Sequence, residues 1–342
     1  MDIKNVILGV AERKKVFSTN DVLVALQKRY TRAYVLRFIN RLLKSGELRK
    51  SGSTHSSLYA KAGKEKFLPN SFYKRYANKN LKEHEILQEF VSAISVVDDL
   101  PENIRNIFAY AFSEMVNNAI EHSSSAFISI KVEKIKRMLR FEVKDFGVGV
   151  FRNVMRRRKL ESELDAIQDL MKGKTTTMPH AHSGEGIFFT SKVADVFVLE
   201  SFGYQLRVDN KVEDVFVSEV PSVERGTRVA VEIDDTYRGR LNDVFKKYYT
   251  DPDELAFDKT EIKIRLYAMG PVYISRSQAR RVLSGLNKFR MVILDFDKIS
   301  GVGQAFADEI FRVFKKRYPR IQLVPINMNE AVKFMIERVA KD

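Results

Sequence analysis

The apolar positions along the chain fall into three regimes. Up to about residue 62, short helical patterns alternate with brief extended ones. Ile3, Val6, Ile7 and Val10 recur at helical spacing, as do Val22, Leu23 and Leu26, and then Val35, Phe38, Ile39, Leu42 and Leu43. Thr31 is placed to cap the third of these helices and Ser45-Gly46 to end it. Residues 47–50 and 57–60, split by a Ser/Gly/Thr turn, predict a two-stranded hairpin. Residues 63–84 are polar and basic without a strict period, which predicts a connector. In the second regime, Ile86, Phe90 and Ile94 mark one helix, and a longer one follows Pro101. Its buried stripe is Ile104, Phe108, Ala111, Met115 and Ala119, with Pro101 in the first turn and Asp98 or Asp99 as cap. Residues 127–132 and 139–143 alternate with period two, as half-buried strands do. An apolar helix at 187–193 and strands at 196–200, 215–217 and 228–233 then predict a mixed sheet. Asp251-Pro252-Asp253 opens the third regime. There, strands at 262–266, 291–296 and 322–326 alternate with helices at 275–286, 306–318 and 330–340, a pattern of parallel-rich sheets. The expected fold class is α/β multidomain.

Composition narrows the chemistry. The 342 residues include no cysteine, so disulfides and thiolate sites are excluded, and a reducing cytoplasm fits. No run of eighteen apolar residues could span a membrane, and the N-terminus lacks the apolar core of a signal peptide. The only close histidine pair, His180 and His182, argues against zinc. The net charge of +15 is unevenly placed. Residues 1–80 hold 18 lysines and arginines against 5 acids, whereas the remainder holds 41 against 39. A basic excess confined to one end favours nucleic acid as a partner over a membrane surface. Arg37, Arg41 and Lys44 share the outer face of the third helix, with Arg32 and Tyr34 near its start, and Lys50, Ser53 and Thr54 lie on the hairpin. Three short helices and a hairpin resemble a winged helix-turn-helix domain. The resemblance implies that the third helix enters the major groove, where arginine reads guanine edges.

Candidate chemistry in the middle of the chain begins with Glu114 and Asn118. They lie four residues apart and so share one helix face. An acid beside an amide suits a hydrated magnesium ion and an attacking water. Three glycine-bearing stretches follow: Asp145-Phe146-Gly147-Val148-Gly149, then Ser183-Gly184-Glu185-Gly186-Ile187, then Gly226-Thr227-Arg228-Val229. Asp145-Phe146-Gly147 has no protein-kinase context, because no His-Arg-Asp loop accompanies it. Gly173-Lys174-Thr175 is not a P-loop, because Gln168 stands where that motif needs glycine. Taken in order, the stretches resemble the GHKL ATPase superfamily, with its Bergerat-type α/β sandwich, and within it most nearly the anti-sigma-factor kinases. The resemblance implies ATP and magnesium as ligands. It assigns Glu114 to catalysis, Asn118 to magnesium and Asp145 to the adenine amino group. Gly147, Gly149, Ser183, Gly184 and Gly186 would line the nucleotide, and Thr227 would sit near adenine. Residues 149–184 would be the ATP lid, with Lys174 and Thr175 as its contacts and Arg156–Lys159 as a solvated face. Glu121 departs from some relatives, which carry a basic residue there.

Leu294-Asp295-Phe296 through Gly303-Gln304-Ala305-Phe306 resembles the STAS domain of anti-sigma-factor antagonists. The phosphorylatable serine of that family falls at Gln304 or Ala305 and is absent here, which implies docking. The expected organisation is residues 1–62, a linker at 63–84, an ATP-binding domain at 85–250 and a STAS-like domain at 251–342. The expected function is a slowly hydrolysing, ATP-binding, DNA-binding regulator, with a protein partner at the STAS-like domain or a second copy of the chain. The alternative is a serine kinase acting on a separate partner.

Overall fold

The computed structural model describes residues 2–52, 57–94, 97, 100–174, 185–221, 225–251, 256–267 and 272–340. The N-terminal unit comprises α1 (Ile3–Arg13), β1 (Phe17–Ser18), α2 (Thr19–Ala25), α3 (Arg32–Lys44), β2 (Leu48–Ser51) and β3 (Leu58–Lys61). Its strands pair antiparallel in the order β1-β3-β2. Ser18 and Asp21 form a capping box at α2, and the Thr31 hydroxyl accepts from the Tyr34 N–H at α3. Ile7, Val22, Val35, Ile39 and Leu48 are fully buried between these elements. The hairpin does not stand clear of the next unit. The Ser51 hydroxyl donates to the Pro69 carbonyl at 2.7 Å, and the Gly52 N–H donates to the Ala93 carbonyl at 2.5 Å.

The expected connector is in part a strand. β4 (Ser71–Ala77) pairs antiparallel with β5 (Phe127–Ile135) and forms one edge of the central sheet. Its alternation was hidden because Lys74 occupies an inward position between Phe72 and Tyr76. The Lys74 amine and the Tyr76 hydroxyl both bind the Glu89 carboxylate, at 2.6 and 3.0 Å, so a charged residue is accommodated on the covered face.

The central unit continues with α4 (Glu83–Ala93), α5 (Glu102–His122), β6 (Met138–Asp145), α6 (Val150–Arg158), α7 (Glu163–Lys172), α8 (Gly186–Val193), β7 (Val196–Ser201), β8 (Tyr204–Asp209), β9 (Asp214–Glu219), β10 (Thr227–Asp234) and α9 (Leu241–Lys247). The seven strands run β4-β5-β6-β10-β7-β8-β9, and every pairing is antiparallel, which corrects the expected mixed sheet. All five residues of the expected α5 stripe are buried beneath it. Pro101 is the N-cap rather than a first-turn residue, and Asp98 and Asp99 lie outside the described residues. The opposite face of the sheet is polar. Arg228 there bridges Glu142 and Glu200, at 2.8 and 2.9 Å, across three strands.

The C-terminal unit holds β11 (Lys259–Lys263), β12 (Val272–Tyr273), α10 (Arg276–Leu283), β13 (Met291–Asp295), β14 (Gly301–Val302), α11 (Gln304–Asp308), a π-helical stretch (Glu309–Phe314), α12 (Lys315–Arg317), β15 (Gln322–Ile326) and α13 (Glu330–Ala340). Its main sheet is parallel, in the order β11-β13-β15, as the alternating pattern predicted. The first strand begins and ends earlier than expected, and residues 264–267 turn into a 3-10 helix. The boundary near Asp251 separates patterns but not packing. Phe188 and Phe189 of α8 lie in the C-terminal core, with ring centroids 4.8 and 4.9 Å from that of Phe257.

Candidate functional site

Strand order builds the first part of the site. β10 lies beside β6 with Arg228 opposite Lys144, which brings Thr227 against the end of β6 at Asp145. Asp145 is buried, and its Oδ1 accepts the N–H groups of Gly147 and Thr227 at 2.9 and 3.2 Å. Burial raises its pKa above the usual carboxylate value, against the lowering effect of the Gly147 and Thr227 hydrogen bonds. The Thr227 hydroxyl accepts from the Val150 N–H at 3.0 Å and so fixes the start of α6. Gly147 is required by proximity, because a Cβ there would overlap the Ser123 carbonyl oxygen. Gly149 is required by conformation, with φ at +76°, and by the Phe202 ring packed beside it. The Ser123 carbonyl also accepts from the Val148 N–H at 2.8 Å, so the loop after β6 is pinned to the end of α5.

The second part lies on α5. Glu114 and Asn118 face the same way, and Tyr110 extends that face by one more turn. Gly186, at the start of α8, lies against the Glu114 carboxylate, which occupies the place a Cβ would take. Burial, then Glu114, Glu185 and Tyr249, push the Tyr110 hydroxyl pKa well above its ordinary value. Tyr110 and Glu185 were not singled out in the sequence. The signal was there for Tyr110, which precedes Glu114 by four residues. The Asn118 amide Nδ2 is buried and has no hydrogen-bond partner among the described residues. A buried amide left unsatisfied costs roughly 1–3 kcal/mol, a cost that an accepting group placed against it would offset. It would donate to a phosphate oxygen or, with the amide turned over, present its oxygen to magnesium. Among the described residues no group of three or more histidines and acids could hold a metal ion.

The expected lid differs from a solvated flap. Its described part is two helices, and every residue of α7 from Ala166 to Lys172 is buried. The Gln168 amide donates to the Leu266 carbonyl at 2.8 Å, and Arg281 of α10 binds Asp165 at 3.0 Å through Nε. Arg158, expected on a solvated face, pairs with the buried Asp169 at 2.8 Å. Lys174 is turned toward the C-terminal unit. Its amine donates to the Lys288 carbonyl at 3.3 Å and lies over the Phe257 and Phe289 rings. Burial lowers its pKa, and the charges of Glu185 and Asp258 oppose that. Thr175, Ser183 and Gly184 lie outside the described residues, as do His180 and His182.

On α3, Val35, Ile39 and Leu42 are buried while Tyr34, Arg37, Arg41 and Lys44 are exposed. No carboxylate among the described residues pairs with Arg37, Arg41 or Lys44. Tyr30, Tyr34 and Phe38 form a ladder of rings with centroids 5.6 and 5.3 Å apart, and Arg41 lies over Phe38. Arg32 is half-buried at the start of the helix. Lys50 is half-buried too, and burial lowers its pKa, so it is less open to a large partner than the α3 cations. Ser53 and Thr54 lie outside the described residues.

Residues 278–333 match the family model of a STAS-like domain of unknown function (DUF4325). The match runs from α10 into α13 and includes two of the three parallel strands. No curated protein matches the chain. The C-terminal unit is therefore a STAS-like domain, a kind of module consistent with regulation and with a protein partner. Gln304 begins α11, at the place where the serine of antagonist proteins was expected. No helix among the described residues is long and apolar enough to cross a membrane.

Proposed function

We propose that the chain is an ATP-binding, slowly ATP-hydrolysing transcription regulator. In this reading the N-terminal unit is a winged helix-turn-helix that binds DNA, the central unit is a GHKL-type ATPase domain, and the STAS-like domain receives the nucleotide signal. The observation that carries the reading is the buried Asp145 carboxylate, held by two backbone N–H groups beside two obligatory glycines, with an unsatisfied Asn118 amide on the neighbouring helix. Asp145 would accept the adenine amino group and so select ATP over GTP. Asn118 would hold magnesium, which neutralises phosphate charge when bound. Glu114, fixed against Gly186, would orient the attacking water and take its proton.

Relay to the STAS-like domain is favoured by α7 and α8, both of which touch that domain. DNA binding is favoured by the unpaired cations on α3 and by the charge excess of residues 1–80. The test is the affinity of the full chain for duplex DNA, by fluorescence anisotropy, without nucleotide, with magnesium and ATP, and with magnesium and ADP. The reading expects ATP to change the affinity, and Glu114→Ala to abolish phosphate release while keeping the ATP effect. DNA affinity indifferent to nucleotide, or phosphate release unchanged in Glu114→Ala, would contradict it.

A further inference from the structure

The polar face of the central sheet carries a row of cations along the end nearest Asp145. Strand register sets the row. Arg75 of β4 lies opposite Ser129, Ser129 opposite Lys144, and Lys144 opposite Arg228. At about 4.8 Å between strands, the row runs roughly 20 Å from β4 to the turn after β7. At that turn, Phe202 and Arg225 line one hollow with Lys144 and a second with Arg152 and Arg156 of α6. Among the described residues, Glu200 is the only acid lining either hollow. The acids beside the row are engaged. Arg228 holds Glu142 and Glu200, and Arg152 holds Glu163 at 2.6 Å. Arg75, Arg156 and Arg225 are exposed, and none of the three has a carboxylate partner among the described residues. This surface is therefore positive on balance.

Aromatic rings interleave with these cations. Phe127 and Phe146 are 43% and 38% exposed. The Arg75 guanidinium lies 4.5 Å from the centroid of the first ring and 5.4 Å from that of the second, and the Lys144 amine lies 5.3 Å from Phe146. At the other end of the row, Phe202 is held against a backbone preference. It forms with Gly203 the two-residue turn between β7 and β8, with φ at +48° and +89°. Asparagine is the common residue at such a first position, and a bulky side chain is strained there. The Phe202 ring packs on Gly149 and under the Arg152 guanidinium, 3.7 Å from its centroid. Unpaired nucleotides suit this combination, because each offers a π-face to a ring and a phosphate to a cation. A duplex keeps its bases stacked inside and would use the cations alone. An acidic peptide would leave the rings unused.

We propose that this face binds single-stranded nucleic acid, with bases stacking on Phe127 and Phe146 and phosphates meeting Arg75, Arg225 and Arg156. The surface is separate from the cations of α3 and stands whether or not α3 binds duplex DNA or Asp145 serves ATP. It adjoins the Asp145 pocket all the same. Phe146 follows Asp145 and Arg225 precedes Gly226, so a bound strand would lie beside the two segments that hold that carboxylate.

The experiment uses the full chain without ATP or magnesium. Binding of a labelled oligothymidine of about 15 residues, and of a duplex of equal length, is followed by fluorescence anisotropy. The same oligothymidine carrying 5-iododeoxyuridine is photocrosslinked, and the modified residues are located by mass spectrometry. The expected result is crosslinking at Phe127 or Phe146. Phe146→Leu should weaken oligothymidine binding at least about fivefold, the loss of one stacked base, and leave duplex binding within about twofold. Arg75→Ala, at an exposed side chain, should also weaken the single strand more than the duplex, and it decides the matter with the crosslinks if Phe146→Leu does not fold. Absence of oligothymidine binding, crosslinks confined to the N-terminal unit, or equal losses on single strand and duplex would overturn the proposal. So would displacement of oligothymidine by an oligoglutamate of equal charge as readily as by unlabelled oligothymidine.

Discussion

Lys172 is a buried lysine whose pKa burial depresses to about 8. Lys172 is satisfied. It donates to the carbonyls of Arg281 and Ser284, at 2.9 and 2.8 Å, and so ties α7 to the end of α10. Its linkage to stability has a definite sign. Below about pH 8 the amine is protonated in both folded and unfolded chains, and the folded state bears the full cost of burying the charge. As pH rises from about 8 toward the ordinary lysine value of 10.5, the folded chain releases its proton first and gains stability. Relative to Lys172→Met, the wild-type unfolding free energy should therefore increase between about pH 7.5 and about pH 9.5, as measured by urea unfolding. A difference that is flat or falling across that window would contradict the assignment. The Asp145 carboxylate and the neighbouring glycines were legible in the sequence because polar and glycine residues in a fixed order survive without knowledge of packing. The isolation of the Asn118 amide was not legible, since it depends on what the other elements fail to offer.

At the scale of elements, α3 was readable because its buried and exposed sides separate cleanly. Val35, Ile39 and Leu42 face inward, and the cations face out. If the N-terminal unit neutralises about six phosphates, the logarithm of DNA affinity should fall with the logarithm of salt at a slope of about −5. Arg41→Ala should reduce that slope by about one, equally on unrelated sequences if Arg41 meets the backbone, whereas a base contact would relax specificity instead. A slope near zero in wild type would remove DNA from the account. Other elements were opaque for identifiable reasons. β4 carries Lys74 at an inward position, so its alternation is broken. α7 buries Gln168, Asp169 and Lys172 together with Ile167 and Leu170, so a segment read as part of a polar ATP lid is in fact enclosed. β8 is short, and its inward pair Leu206 and Val208 sits among Gln205 and Arg207, which gave too little signal beside longer runs.

For the molecule as a whole, the point of interest is how tightly the central and STAS-like units are joined. The sequence placed a boundary near Asp251 because strand and helix patterns restart there. Packing crosses it, since Phe188, Phe189, Tyr248 and Phe257 form one aromatic cluster with ring centroids 4.8 to 6.3 Å apart. Gly173, with φ at +81°, lets Phe257 approach the end of α7 where a side chain would collide. α8 therefore runs from the proposed nucleotide site into the STAS-like core, and α7 is held against that domain through Gln168 and Asp165. Any ligand that shifts either helix must bind the two arrangements with different affinity, which is the physical requirement for a relay. The N-terminal unit is joined more lightly, through Ser51 and Gly52 against Pro69 and α4.

All of this turns on whether the Asp145 pocket takes adenine. The most direct measurement is calorimetric titration of magnesium and ATP into the wild-type chain and into Asp145→Asn. Asparagine keeps an oxygen for the Gly147 and Thr227 N–H groups while changing the group offered to the base. The account predicts that wild type binds ATP and discriminates against GTP, and that the variant, still folded, binds ATP at least about tenfold more weakly, a loss of about 1.4 kcal/mol. Equal affinity in the two proteins, or no binding by wild type, would contradict it.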